Sequence, residues 1–318
     1  MTKKSSTVSG AIKRGAGNKS SNQRSAIEDQ AITRVRALAW TGQHAPAIDL
    51  ATQALSALGK GDSRVAPTMI DLLDLRAESY IAQGKLDLAN KDAKAMVKIA
   101  KTGGLPLRGL RDTPHKVRGA TRPLTTLQSP LSNLLIAQAL NRLALVQMRT
   151  GDLKAAVKSA TSAVRTVGAG TSRPRKGRED IAPPQALALF RLSEAQMRTG
   201  QNEASIESAQ KAIALFQSTG DHSGTGRAYW SLANACFNLS RADDSRRAAY
   251  TALEICKQAG DQYGIGNALN AITLTDVGIA ERTQHTQQAL QAFEMAGYVE
   301  RQSIALGTVR NAARRDRY

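Results

Sequence analysis

Aromatic residues make up only 4% of this 318-residue chain, too few for the large-ring cores that sandwiches and barrels favour. Cysteine is nearly absent: Cys236 and Cys256 cannot build a disulfide framework and fit a reducing compartment. No apolar run approaches the ~18 residues of a membrane span. Lys3 and Lys4 have no hydrophobic stretch behind them, so no secretory signal is read. These absences point to a soluble, cytoplasmic protein. What is present is an apolar fraction of 42%, dominated by Ala and Leu. Such a composition builds its core from closely packed helices, and the length suits about two domains or one elongated array.

Acidic residues are scarce as well, with 26 Asp and Glu against 44 Lys and Arg, for a net charge of +18. The excess is concentrated. Residues 1–25 carry six basic residues and no acid, 101–130 carry six and one, 165–180 five and two, and 301–318 five and one. The rest of the chain is neutral. The first of these segments mixes Gly, Ser and Lys without apolar periodicity and reads as a disordered basic tail. The second holds four prolines and four glycines and cannot be continuous helix. The third passes from Gly168 to Pro183-Pro184 as a long basic loop.

Between these segments one pattern recurs. A turn residue stands at Gly42, Gly84, Gly151, Gly200, Ser240 and Ala280. Five residues later comes Ala47, Ala89, Ala156, Ser205 or Ser245, with His285 departing. Twelve residues later comes Ala54, Ala163, Ala212, Ala252 or Ala292, with Met96 the exception. Seven residues before the turn stand Ala77, Ala144, Ser193 and Ala233. Apolar residues around each turn repeat at three- and four-residue spacing, which predicts amphipathic helical hairpins with small residues where the helices meet. One hairpin cannot bury its apolar face alone, so neighbours must stack.

The pattern resembles the tetratricopeptide repeat family. Gly200, Ser240 and Ala280 follow at forty-residue intervals, with Gly220-Asp221 and Gly260-Asp261 between repeats, which looks like the long-repeat variant. The resemblance implies an all-α, right-handed superhelical solenoid. The expected organisation is a tail over 1–26, repeats one and two over 27–100 and a basic insert over 101–130. Repeats three to six follow over 131–297, with the basic loop at 165–184, and 298–318 forms an incomplete seventh repeat. That unfinished end invites self-association or a missing segment.

Catalytic signals are weak. Gly17-Asn18-Lys19-Ser20 lacks the glycines and the strand of a phosphate loop. Gly224 with Gly226, and Gly264 with Gly266, occupy equivalent places in two repeats and read as inter-repeat turns rather than dinucleotide fingerprints. His44, His115, His222 and His285 are scattered singly, so no metal site is expected. Ser208 and Lys211 form a Ser-x-x-Lys string on a helix with no oxyanion device. No enzyme, metal or cofactor is read from this chain.

In the resembled family, the first helices of the hairpins line a concave groove for peptides or helices. Carried over position by position, the groove residues are Arg36, Asn141, Arg142, Phe190, Arg191, Glu194, Arg227, Trp230, Asn234 and Asn270, with Asp74 and Glu78 from the second repeat. Asn amides can hold a peptide backbone, Trp230 and Phe190 are anchors of the hot-spot type, and the three arginines favour an acidic segment. The expected function is a non-catalytic protein-interaction scaffold or regulatory module. One alternative is the N-terminal regulatory repeat region of a larger signalling enzyme, such as a bacterial cyclase or kinase. Another is a nucleic-acid-associated protein using its basic tail and loops.

Overall fold

A computed structural model describes residues 29–58, 65–102, 130–168, 182–275, 278–299 and 301–302. The basic tail at 1–26 lies outside these residues, as do most of the insert at 101–130 and of the loop at 165–184, and the end beyond 302. The described residues form helices and no strand. Helix α1 covers 29–40, followed by α2 (His44–Ala57), α3 (Ala66–Ala82), α4 (Leu86–Thr102), α5 (Pro130–Thr150) and α6 (Leu153–Gly168). Then come α7 (Ala182–Arg198), α8 (Asn202–Ser218), α9 (His222–Asn238), α10 (Ala242–Ala259), α11 (Gln262–Leu274) and α12 (Ile279–Met295). Each helix packs on the next from α2 to α12, and α3–α5, α5–α7, α7–α9 and α9–α11 also touch. The odd-numbered helices therefore form an inner layer and the even-numbered ones an outer layer of an all-α solenoid. No described helix is long and apolar enough to cross a membrane.

The small residues sit where the hairpins close. Ala47, Ala89, Ala156, Ser205 and Ser245 are fully buried, as are Ala77, Ala144, Ser193 and Ala233. With so little side chain between the helices, enlarging any one of them forces the pair apart, at ~1–3 kcal/mol. The turns at Gly42, Gly84, Gly151, Gly200 and Ser240 all take the left-handed backbone, Ser240 at φ 59° without the freedom of glycine. Asp221 and Asp261 cap α9 and α11, accepting from the backbone N–H of Gly224 at 2.8 Å and Gly264 at 3.0 Å.

The sixth hairpin departs from the expected register. α11 ends at Leu274 and α12 begins at Ile279, which makes Ala280 the second residue of a helix rather than the turn. Thr275 takes an extended backbone, with its hydroxyl returned to the Ile272 carbonyl at 2.7 Å, and this stops α11 early.

One contact ties the two ends of the array together. The α1–α2 turn meets the residues that follow α12. The ring Nε2 of His44 donates to the Ala296 carbonyl at 2.9 Å, and a Cβ on Gly42 would lie 2.7 Å from the Met295 carbonyl oxygen. Ala296 and Tyr298 are buried against Ala77 and Ile81 of α3 and Leu145 of α5. The array closes on itself, and Phe293 has no exposed surface.

Candidate functional site

Closure converts the inner face into a chamber with two cavities. The larger, about 460 Å³, lies between Trp40 of α1 and helices α5, α7, α8 and α9. Its walls are apolar at Leu134, Leu135, Leu187, Phe190 and Phe216, with Asp74, Gln138, Asn141, Arg191 and Arg227 among the polar groups. The smaller, about 230 Å³, lies at the seam, under Trp40, His44, Tyr263 and Tyr298 and beside Glu78, Arg142 and Asp261. Trp40 and Arg227 line both.

Three arginines of the chamber pair with carboxylates of the chain. Arg142 donates to Asp74 at 2.6 Å and also to Glu78, which accepts a second bond from the Tyr298 hydroxyl. Arg227 grips Asp261 through two bonds of 2.6 and 2.8 Å and lies over the Tyr263 ring. Arg191 pairs with Glu194 at 2.7 Å while covering Phe190. Burial alone would raise the carboxyl of Glu78, but the guanidinium of Arg142 and the Tyr298 hydroxyl hold it well below the usual carboxylate range. Arg227 and Ser223 do the same for Asp261 against its burial. Burial would also raise Tyr263, yet Arg149 and Arg301 beside it bring the phenol down to about 8.

Asn141 is the exception. It is 3% exposed, and neither its amide nitrogen nor its amide oxygen has a partner among the described residues. It faces the larger cavity from α5. A buried side-chain amide left unpaired costs ~1–3 kcal/mol.

The sequence model of the tetratricopeptide repeat family matches residues 184–258, which span the fourth and fifth hairpins. The match covers those two hairpins. No curated protein matches the sequence. Among solved structures, a Rap protein complexed with Competence and Sporulation Factor aligns with a TM-score of 0.55 at 12% identity, over 91% of this chain and 71% of that one. Aspartyl phosphate phosphatase F from Bacillus subtilis aligns with a TM-score of 0.51 at 13% identity, over 89% and 69%. The apo form of RapI aligns with a TM-score of 0.51 at 14% identity, over 92% and 72%. At these identities the likeness is one of fold.

The array distributes the ten expected groove residues unevenly. Asn141, Phe190, Arg191 and Arg227 line the larger cavity, while Arg36, Arg142 and Arg227 line the smaller. Glu194, Trp230, Asn234 and Asn270 line neither. Trp230 belongs to the core: it is 8% exposed and packs in one cluster with Phe190, Leu253 and Leu269. Asn234 turns back onto its own helix, donating to the Trp230 carbonyl at 2.8 Å. Arg142, Arg191 and Arg227 are each neutralised by carboxylates of this chain, which removes the ground for an acidic partner. Trp40, His44 and Tyr298 were missed. Trp40 is one place beyond the last groove position counted in its helix. His44 and Tyr298 join the site only because the ends of the array meet.

Proposed function

We propose that the array is a non-catalytic protein-interaction module whose chamber holds a short segment of a partner protein. The observation that carries this reading is the unpaired amide of Asn141 at the wall of the larger cavity. One side-chain amide offers a donor and an acceptor together, the complement of a peptide unit. Binding a backbone there would recover the unmet hydrogen bonds, while Leu135, Leu187 and Phe190 beside it would take an apolar side chain. The volume of about 460 Å³ falls within the roughly 300–1,000 Å³ of ordinary ligand pockets. It suits a few residues better than a long helix. The Rap structure of similar fold is complexed with a factor, in keeping with this use of the fold.

The test is selection of displayed peptides against the full chain, followed by calorimetric titration of the selected peptides into wild type and Asn141→Leu. The expected result is at least a tenfold loss of affinity in the variant, with a melting temperature equal to or above wild type. Peptides that bind the variant as tightly as wild type would overturn the reading.

A further inference from the structure

The outer helices differ sharply in how they treat their cations. On α4, Lys91, Lys94, Lys98 and Lys101 follow at spacings of three, four and three, so they share one face, and all four are exposed. On α6 the exposed residues are Lys154, Lys158 and Arg165 alone. None of these seven forms an ion pair among the described residues. Asp92, the one acidic residue of α4 beyond its first turn, is taken by Arg76 of α3 at 2.7 Å, and α6 has no acidic residue. The later outer helices are different. Lys211 pairs with Glu207 on α8, Arg247 with Asp244 and Lys257 with Glu254 on α10, and Arg241 with Glu203 across the two.

Helices α4 and α6 both pack against α5 and so flank it. Their basic rows, each ~15 Å long at 1.5 Å per residue, stand on neighbouring outer helices, away from the chamber. We propose that this outer face binds the phosphate backbone of nucleic acid. Rigidly spaced cations gain affinity by releasing condensed counterions, and they read no sequence. Neither row contains an aromatic residue, so base stacking adds nothing. A membrane surface is the poorer fit, because an interfacial helix inserts an apolar face between its charges, and among the described residues the only exposed large apolar side chain of α4 and α6 is Leu88. The site is separate from the chamber and stands whether or not a peptide binds there.

The test uses the full chain and a fluorescent DNA duplex of about 20 base pairs, titrated at several salt concentrations from about 50 mM upward. Wild type should bind with steep salt dependence and no sequence preference. In the variant Lys91→Gln/Lys94→Gln/Lys98→Gln/Lys158→Gln, affinity at low salt should fall at least tenfold. The slope of log affinity against log salt should shrink by about 3 to 4, at ~0.9 per lost phosphate contact. The pair Lys154→Gln/Lys158→Gln should lower it by about 2 on the same rule. The control Lys211→Gln/Lys257→Gln, on the ion-paired helices, should change affinity less than about twofold, as surface pairs contribute little. Wild-type affinity and slope in the fourfold variant would overturn the proposal. So would binding to phosphatidylserine-containing vesicles with none to the duplex, or no duplex binding at the lowest salt.

Discussion

His44 and Ala296 stand 252 positions apart, yet the imidazole Nε2 of one donates to the carbonyl of the other at 2.9 Å. Because a carbonyl only accepts, Nε2 carries a proton, and Nδ1 lies 3.4 Å from the Ser79 hydroxyl. The Tyr298 ring meets the imidazole edge-on, with centroids 5.6 Å apart. The first and sixth repeats are thus joined through a buried polar contact with an aromatic flank.

Replacing His44 by Ala should leave the Ala296 carbonyl unpaired and cost ~1–3 kcal/mol. The more telling readout is hydrogen exchange. Amides of the α1–α2 turn and of residues 296–299 should lose protection together, while those of α7 and α8 should not change. Loss confined to the α1–α2 turn would show that the contact is incidental.

Two glycines with nearly the same backbone separate the seam from ordinary turn strain. Gly42 and Gly151 have φ of 76° and 86°, but a Cβ on Gly151 meets nothing within 4 Å. Gly151→Ala should therefore cost only the left-handed penalty of ~1–2 kcal/mol. Gly42→Ala adds a clash with the backbone at Met295 and should cost clearly more, by chemical denaturation. Equal costs would mean that the ends of the array yield freely.

Alanine at Trp230 should destabilise the array by ~3–5 kcal/mol, the usual cost of deleting a buried large ring. The conservative Trp230→Phe should keep the fold and leave Trp40, 54% exposed at the mouth of both cavities, as the only tryptophan. Fluorescence of that variant should be readily quenched by acrylamide and should shift when a selected peptide is added. A spectrum indifferent to peptide would place binding away from Trp40.

The pH profile follows from the signs of the chamber's titrations. Glu78, Glu194 and Asp261 are all held below their ordinary values by neighbouring arginines against the opposing effect of burial. Their contribution to stability is complete above the unfolded carboxylate range, ~4, and is lost as pH falls below it. Tyr263 is also depressed, to about 8. Its ionisation therefore adds stability between that value and the unfolded phenol range, ~10. Absorbance at the phenolate wavelength should show one tyrosine titrating near 8 in wild type and not in Tyr263→Phe. A titration identical in the two would place Tyr263 away from Arg149 and Arg301.

The hairpins were legible because their signals are local. Small residues at Ala47, Ala89, Ala156, Ser205 and Ser245 mark helix contacts within one hairpin, and all five are buried. The seam was not, because whether Gly42 meets Met295 depends on the small rotation added by every repeat between them, a sum that no local spacing records. Ala280 missed the turn because a strict forty-residue interval ignores Thr275, whose hydroxyl ends α11 early. Trp230 was misplaced by treating every first helix as having one free face. On α9 the Trp230 position packs in the core cluster instead. The arginines were read as open charges because spacing within a helix says nothing about which carboxylate a neighbouring helix brings opposite.

A row of repeats that touch only their neighbours comes apart like a stack of coins, from whichever end is loosest. Fastening the Gly42 turn to the residues after α12 makes the row a bracelet, in which neither the first hairpin nor the sixth is an end. Opening at either one must also undo the clasp, so partial unfolding is penalised twice and the transition sharpens toward all-or-none. The clasp should also be among the last contacts to form, since it spans 252 positions. Its two halves are separated by most of the sequence, and every intervening hairpin must adopt its native pitch before they can meet.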